Sequence, residues 1–123
     1  MATAFRKDTN GVYHFRHFPS NDNVQAEVEL PRSADGLEWC IHEIVWGYTV
    51  NPSSEVFVSI QIDGTTVWKV PVVDGGGQRF VFVPEKLRLG DNDVAKHINI
   101  ILDAESTGKG VLIVSATQES PTG

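Results

Sequence analysis

A chain of 123 residues is the size of one domain and can bury roughly two-thirds of the surface its unfolded form exposes, enough for a core without cross-links. Hydrophobic residues make up 41% and charged residues 21%, which excludes a disordered chain, and the net charge of −6 with scattered Lys and Arg argues against nucleic acid as a partner. One cysteine, Cys40, excludes an intrachain disulfide, and no apolar run reaches the roughly 18 residues of a membrane helix, so no membrane partner is expected.

Residues 1–20 mix aromatic and basic side chains and are expected to be an N-terminal arm or an edge strand. Asp8-Thr9-Asn10-Gly11 reads as a turn within them, and Pro19 to Asn23 closes them off. The absence of an apolar stretch after Met1 leads us to expect no secretion signal. From Val24 the apolar period becomes two: Val24, Ala26, Val28 and Leu30 alternate with Gln25, Glu27 and Glu29, the pattern of a half-buried strand that Pro31 ends. Leu37 to Val50 is apolar almost throughout, and its β-branched residues and Gly47 favour a strand buried on both faces, kinked at Gly47, over a helix.

The sharpest local signal spans Val56 to Val70. Val56, Val58, Ile60 and Ile62 alternate with Phe57, Ser59, Gln61 and Asp63, and Asp63-Gly64 supplies the positive φ angles of a tight hairpin before Thr66 to Val70. Asp74-Gly75-Gly76-Gly77 predicts a loop, Gln78 to Pro84 a strand, Leu87-Arg88-Leu89 a short strand, and Gly90 to Asp93 a turn. Ala95 to Leu102 predicts a strand with Ile98, Ile100 and Leu102 inward, and Val111 to Ala116 is the last. The expected fold is therefore all-β: a single β-sandwich, jelly-roll-like, with seven to eight antiparallel strands, the domain covering residues 21–118 and residues 119–123 forming a polar tail.

Candidate chemistry is sparse. Three residues apart on a strand, His14 and His17 face opposite sides and do not share a metal readily; His42 and His97 could meet only across strands. Asp91 and Asp93 could offer oxygens to Ca²⁺, but such a turn supplies too few of the six or more ligands calcium needs. Gly75-Gly76-Gly77 lacks the Lys-Ser/Thr and following helix of a phosphate loop. Glu43, a lone carboxylate among apolar residues, makes no acid–base pair, and Cys40 has no base beside it. No catalytic residue, metal or cofactor is expected, and the chain is read as non-enzymatic.

The segment Trp39 to Tyr48, the break Asn51-Pro52, the run Ile60 to Val67 through Asp63-Gly64, the loop Asp74 to Gly77 and the final Gly110 to Val114 resemble small jelly-roll structural proteins of tailed bacteriophages. The resemblance covers residues 37–116 and not the N-terminal segment. It implies a virion component assembled in the host cytoplasm: a capsid decoration protein or a head-fibre or tail-associated domain. Its implied partners are further copies of itself, as a homo-oligomer such as a trimer, and the major capsid or another virion protein. Interface candidates are then Phe5, Arg6, Lys7, Tyr13, Phe15, Arg16, Phe18 and Trp68. The alternative is a carbohydrate-binding β-sandwich module that stacks sugar on Trp46, Tyr48 or Trp68.

Overall fold

The computed structural model describes residues 4–31, 36–72, 74–83, 86–89 and 97–120. The strands are β1 (Ala4–Lys7), β2 (Tyr13–His17), β3 (Ala26–Leu30), β4 (Glu38–Tyr48), β5 (Phe57–Ile62), β6 (Thr65–Pro71), β7 (Gln78–Val81), β8 (Leu87–Arg88), β9 (Ile98–Leu102) and β10 (Gly110–Glu119). They form two antiparallel sheets. One runs β1-β2-β10-β4-β7 with the two-residue β8 also pairing β4; the other runs β3-β9-β5-β6.

Without the short β1 and β8, the orders β2-β10-β4-β7 and β3-β9-β5-β6 are those of an eight-stranded jelly roll, in which successive strands change sheet except at the hairpin of β5 and β6. Asp63 and Gly64 turn that hairpin at φ 49° and 82°. Glycine adopts such angles at no steric cost and Asp is among the residues that tolerate them, which is why this pair was legible as a turn.

Period two decides which residues meet. Val28, Ile44, Ile60, Ile100, Leu112 and Val114 come from five strands and lie fully buried between the sheets. Burial of a Val, Leu or Ile side chain contributes about 1.5–3 kcal/mol, so this layer supplies most of the driving force. Trp39 plugs one end of the core. Its indole N–H donates to the Pro31 carbonyl at 2.6 Å, and its ring meets Tyr13 and Phe15 edge-on at 5.2 and 5.8 Å.

The N-terminal segment and β4 take definite form here. Of the arm and the edge strand expected for the N-terminal segment, residues 4–17 show the second, a hairpin at the edge of the larger sheet: β1 pairs with β2, and β2 with β10. The reason is Phe15, only 1% exposed, whose burial against Trp39 anchors β2. Strand β4 does not break at Gly47; its irregularity lies at His42, an extra residue between the pairs Ser115–Glu43 and Ala116–Ile41. Such a bulge shifts the alternation, so that Ile41 and Ile44, three apart, are both buried.

Different devices close the two ends of the sandwich. At the β2–β3 edge, the Glu27 backbone N–H donates to His17 Nδ1 at 2.9 Å. At the β6–β7 edge, Trp68 from one sheet meets Phe80 and Phe82 from the other at 5.1 and 5.3 Å, and the two phenylalanines lie 5.0 Å apart. Between β9 and β10, the buried carboxylate of Glu105 accepts from the Ser53 and Thr107 hydroxyls, each at 3.0 Å.

Candidate functional site

The outer face of the larger sheet follows from register. Because Leu112 and Val114 point into the core, Val111, Ile113, Ser115 and Thr117 point away from it. Their partners share that face. Arg16, Ile113, Val45 and Arg79 form one row across β2, β10, β4 and β7, and His14, Ser115, Glu43 and Val81 form the next. The third row, Val111 opposite Gly47, opens into a cleft.

This cleft of about 310 Å³ is lined by Phe18, Gly47, Tyr48, Thr49, Gly75, Gly77, Lys109 and Val111. Its floor is glycine for a steric reason. A Cβ on Gly47 would stand 3.2 Å from the Gly77 Cα, and one on Gly75 would stand 2.4 Å from the Val50 carbonyl oxygen. Those close approaches let the loop lie flat along the end of β4. Tyr48 N–H donates to the Gly75 carbonyl at 3.0 Å, and Gly75 N–H to Asn51 Oδ1 at 3.0 Å. On the wall stands Phe18, just beyond β2 and 57% exposed. Lys109, at the rim, is paired with Asp22 at 2.9 Å.

Polar groups fill much of the second row and its margin. His14 Nδ1 lies 3.0 Å from the Ser115 hydroxyl and its Nε2 3.3 Å from an Asp8 carboxylate oxygen. Hydrogen bonds from the Val12 and Asn10 N–H groups and from His14 hold the Asp8 carboxyl below the usual carboxylate range, against burial. An Asp, a His and a Ser side by side invite a catalytic reading, but Ser115 is buried in the middle of β10, a strand paired on both sides, where backbone N–H groups are engaged in the ladder. Farther along, His42 Nε2 lies 2.9 Å from the Thr117 hydroxyl, and Lys86 pairs with Glu119 at 2.5 Å. Burial and the Lys86 charge push His42 below the ordinary histidine range.

The candidate residues scatter across these regions. Tyr13 packs edge-on against Trp39 at the core's end, and Phe15 is buried, which removes both from the interface candidates. Arg16 and Phe18 do face outward. Phe5, Arg6 and Lys7 lie in β1, and their side chains fall outside the description. Trp46, proposed for stacking sugar, is 4% exposed and donates its indole N–H to Gln78 Oε1 at 2.8 Å. Tyr48 borders the cleft, but its side chain is directed inward, the hydroxyl donating to the Asp103 carbonyl at 2.7 Å. Trp68 is half-buried in the β6–β7 seam.

Asp91 and Asp93 lie outside the described residues. Among the described residues, no three His, Cys, Asp or Glu side chains gather to hold a metal. His14 and His17 sit on opposite faces of β2, and His42 and His97 belong to different sheets.

Sequence reasoning missed the cleft itself. In the sequence Phe18 stands only as an interface candidate, Gly75 to Gly77 as a loop and Gly47 as a kink in a strand. One signal could have pointed there: in Val111 to Val114 the outward positions are as apolar as the inward ones, which marks a strand covered or used on both faces.

No family model and no curated protein matches the chain. Among the solved structures similar to the chain are two carbohydrate-binding modules. One, described as "CBM4 structure and function", is a carbohydrate-binding module with 14% identity and a TM-score of 0.45, covering 96% of this chain and 78% of its own. The other is the CBM36-1 domain of a multidomain xylanase from the hindgut metagenome of Trinervitermes trinervoides, with 9% identity and a TM-score of 0.43, covering 100% of this chain and 88% of its own. The virion role expected from the strand-and-turn pattern is not carried forward: these two solved structures are carbohydrate-binding modules, not virion proteins. The pattern encodes jelly-roll wiring, which unrelated functions share, and not a capsid partner.

Proposed function

We propose that this domain is a non-catalytic glycan-binding module whose site is the cleft on the outer face of the larger sheet. One observation carries the proposal. Phe18 presents an exposed ring beside a glycine floor, in a cleft of about 310 Å³ at the end of the larger sheet's outer face. The C–H faces of a sugar ring are apolar and stack on an aromatic side chain, while its hydroxyls need nearby donors and acceptors. Thr49 and Lys109 lie within the lining to meet them, and the glycines leave their own backbone open to close approach. The cleft's size suits one or two sugar units, so a longer chain would continue over Ile113 and Val45. The two solved structures of similar wiring are carbohydrate-binding modules, in keeping with this reading, but it rests on the cleft.

The test is affinity gel electrophoresis and calorimetry of the full chain against a panel of soluble polysaccharides. The expected result is retardation by at least one polymer, lost by tenfold or more in Phe18→Ala with the thermal transition unchanged. Phe18 is exposed enough that its truncation should leave stability within about 0.5 kcal/mol. No binding to any polymer, or full binding by Phe18→Ala, overturns the proposal. Loss in Trp68→Ala alone would move the site to the β6–β7 seam and overturn it equally.

A further inference from the structure

We infer that the glycan taken by this face is acidic, carrying carboxylates of the uronic acid kind; the inference rests on the proposed glycan site and deepens it. The observation is a row of alternating character beside the cleft. Arg16 and Arg79 stand at the two ends of the register row in which Ile113 and Val45 are the middle. Three strand spacings of about 4.8 Å separate the arginines by about 14 Å. Both are exposed, Arg79 to 65% of its side chain. A third cation, Lys109, stands at the rim of the cleft.

These cations recur along one face. Of the chain's ten basic residues, three stand on and beside one sheet face. Carboxylates stand beside two of these cations, Glu43 2.7 Å from Arg79 and Asp22 2.9 Å from Lys109, and Asp8 lies beside His14 in the neighbouring row. Surface pairs of this kind are weak and exchange readily, so a ligand carboxylate can compete with Glu43 and Asp22 for their cations. A guanidinium matches a carboxylate with two parallel N–H···O bonds, a fit that a neutral hydroxymethyl group does not offer. The apolar middle of the row, Ile113 and Val45, then lies under the sugar rings. The surrounding negative charge disfavours indiscriminate adhesion to polyanions, so recognition has to come from the placement of these cations.

The experiment compares matched oligosaccharides of β-1,4-linked glucose, β-1,4-linked mannose and α-1,4-linked galactose, each with a C6 hydroxymethyl or a C6 carboxylate, by calorimetry with the full chain. The expected result is at least a tenfold preference for the carboxylate form in one pair at low salt, shrinking as salt rises, and cut by threefold or more in Arg16→Gln and in Arg79→Gln. Equal or better binding of the neutral forms overturns the inference while the glycan reading stands. Dextran sulfate bound as tightly as the uronate overturns it too, because charge alone would then suffice. A preference unchanged in both variants does the same. Binding to none of the six sugars, with a neutral polysaccharide bound elsewhere in the panel, also ends the inference; no glycan binding at all removes both.

Discussion

The buried carboxylate of Glu105 accepts two hydrogen bonds from one residue, Ser53: the backbone N–H at 3.1 Å and the hydroxyl at 3.0 Å. Thr107 adds its own N–H at 3.3 Å and hydroxyl at 3.0 Å, so the carboxylate ties the loop before β10 to the loop before β5. Burial pushes this carboxyl up, and the hydrogen bonds from Ser53 and Thr107 pull harder in the other direction, leaving it below its ordinary value of 4.5. A group depressed in the fold stabilises it above the unfolded value and ceases to do so as pH falls through the folded one. Glu105→Gln should therefore lower the thermal midpoint by several degrees at pH 7. The gap between variant and wild type should narrow below pH 4.5, which melting curves at pH 7 and pH 3 will show.

His17 gives a second pH dependence at a higher range. Its Nδ1 accepts from Glu27 N–H, which a protonated ring cannot do, and burial pushes it below the ordinary 6.5. The unfolded chain then binds the proton more readily than the folded one. Stability is full above pH 6.5 and declines as pH drops toward the folded value. His42, also depressed by burial, acts in the same direction. The expected outcome is a fall in urea midpoint between pH 7.5 and 5.5 that is reduced in His17→Gln, measured by equilibrium denaturation.

Tyr48 separates a structural role from a binding one. Burial, with the neighbouring Asp103 and Glu105 carboxylates, pushes its phenol well above 10, so it stays neutral and donating throughout the usual range. Tyr48→Phe removes the bond to the Asp103 carbonyl and should cost about 1 kcal/mol. The hydroxyl is engaged away from the cleft, so glycan affinity should change less than twofold. A large affinity loss without a stability loss would place the hydroxyl in the site instead.

Gly75 tests the cleft's floor. A methyl group there meets the Val50 carbonyl oxygen at 2.4 Å and carbon at 2.8 Å, both backbone, so the loop has to lift. Gly75→Ala should destabilise by about 1–3 kcal/mol and weaken glycan binding together with it. Gly76→Ala is the control. Its Cβ would meet only the Asp74 side chain, at 3.1 Å, and it should retain both properties.

Much of this molecule was legible along the chain because strand periodicity and turn chemistry are local. The alternation from Val56 to Ile62 and the Asp63-Gly64 pair specify β5, the turn and β6, since positive φ at two successive positions admits few residues. Ile98, Ile100 and Leu102 are inward as expected, for the same reason. Aromatic residues were harder to place. Trp46, Phe15 and Phe18 look alike as apolar side chains beside β-branched neighbours, and only one of them is exposed.

What the sequence by itself determined is an all-β jelly-roll-like domain, its hairpin and the apolar stripe of most strands, because each depends on residues a few positions apart. The tertiary structure alone decided which face is left open. The partners of Ile113 are Arg16 and Val45, almost a hundred and almost seventy positions away in the chain, and the cleft unites Phe18, Gly47, Gly75 and Lys109 from four separate segments. The bulge at His42 and the strand order around β10 set those meetings, and both are properties of long-range pairing that no local period records.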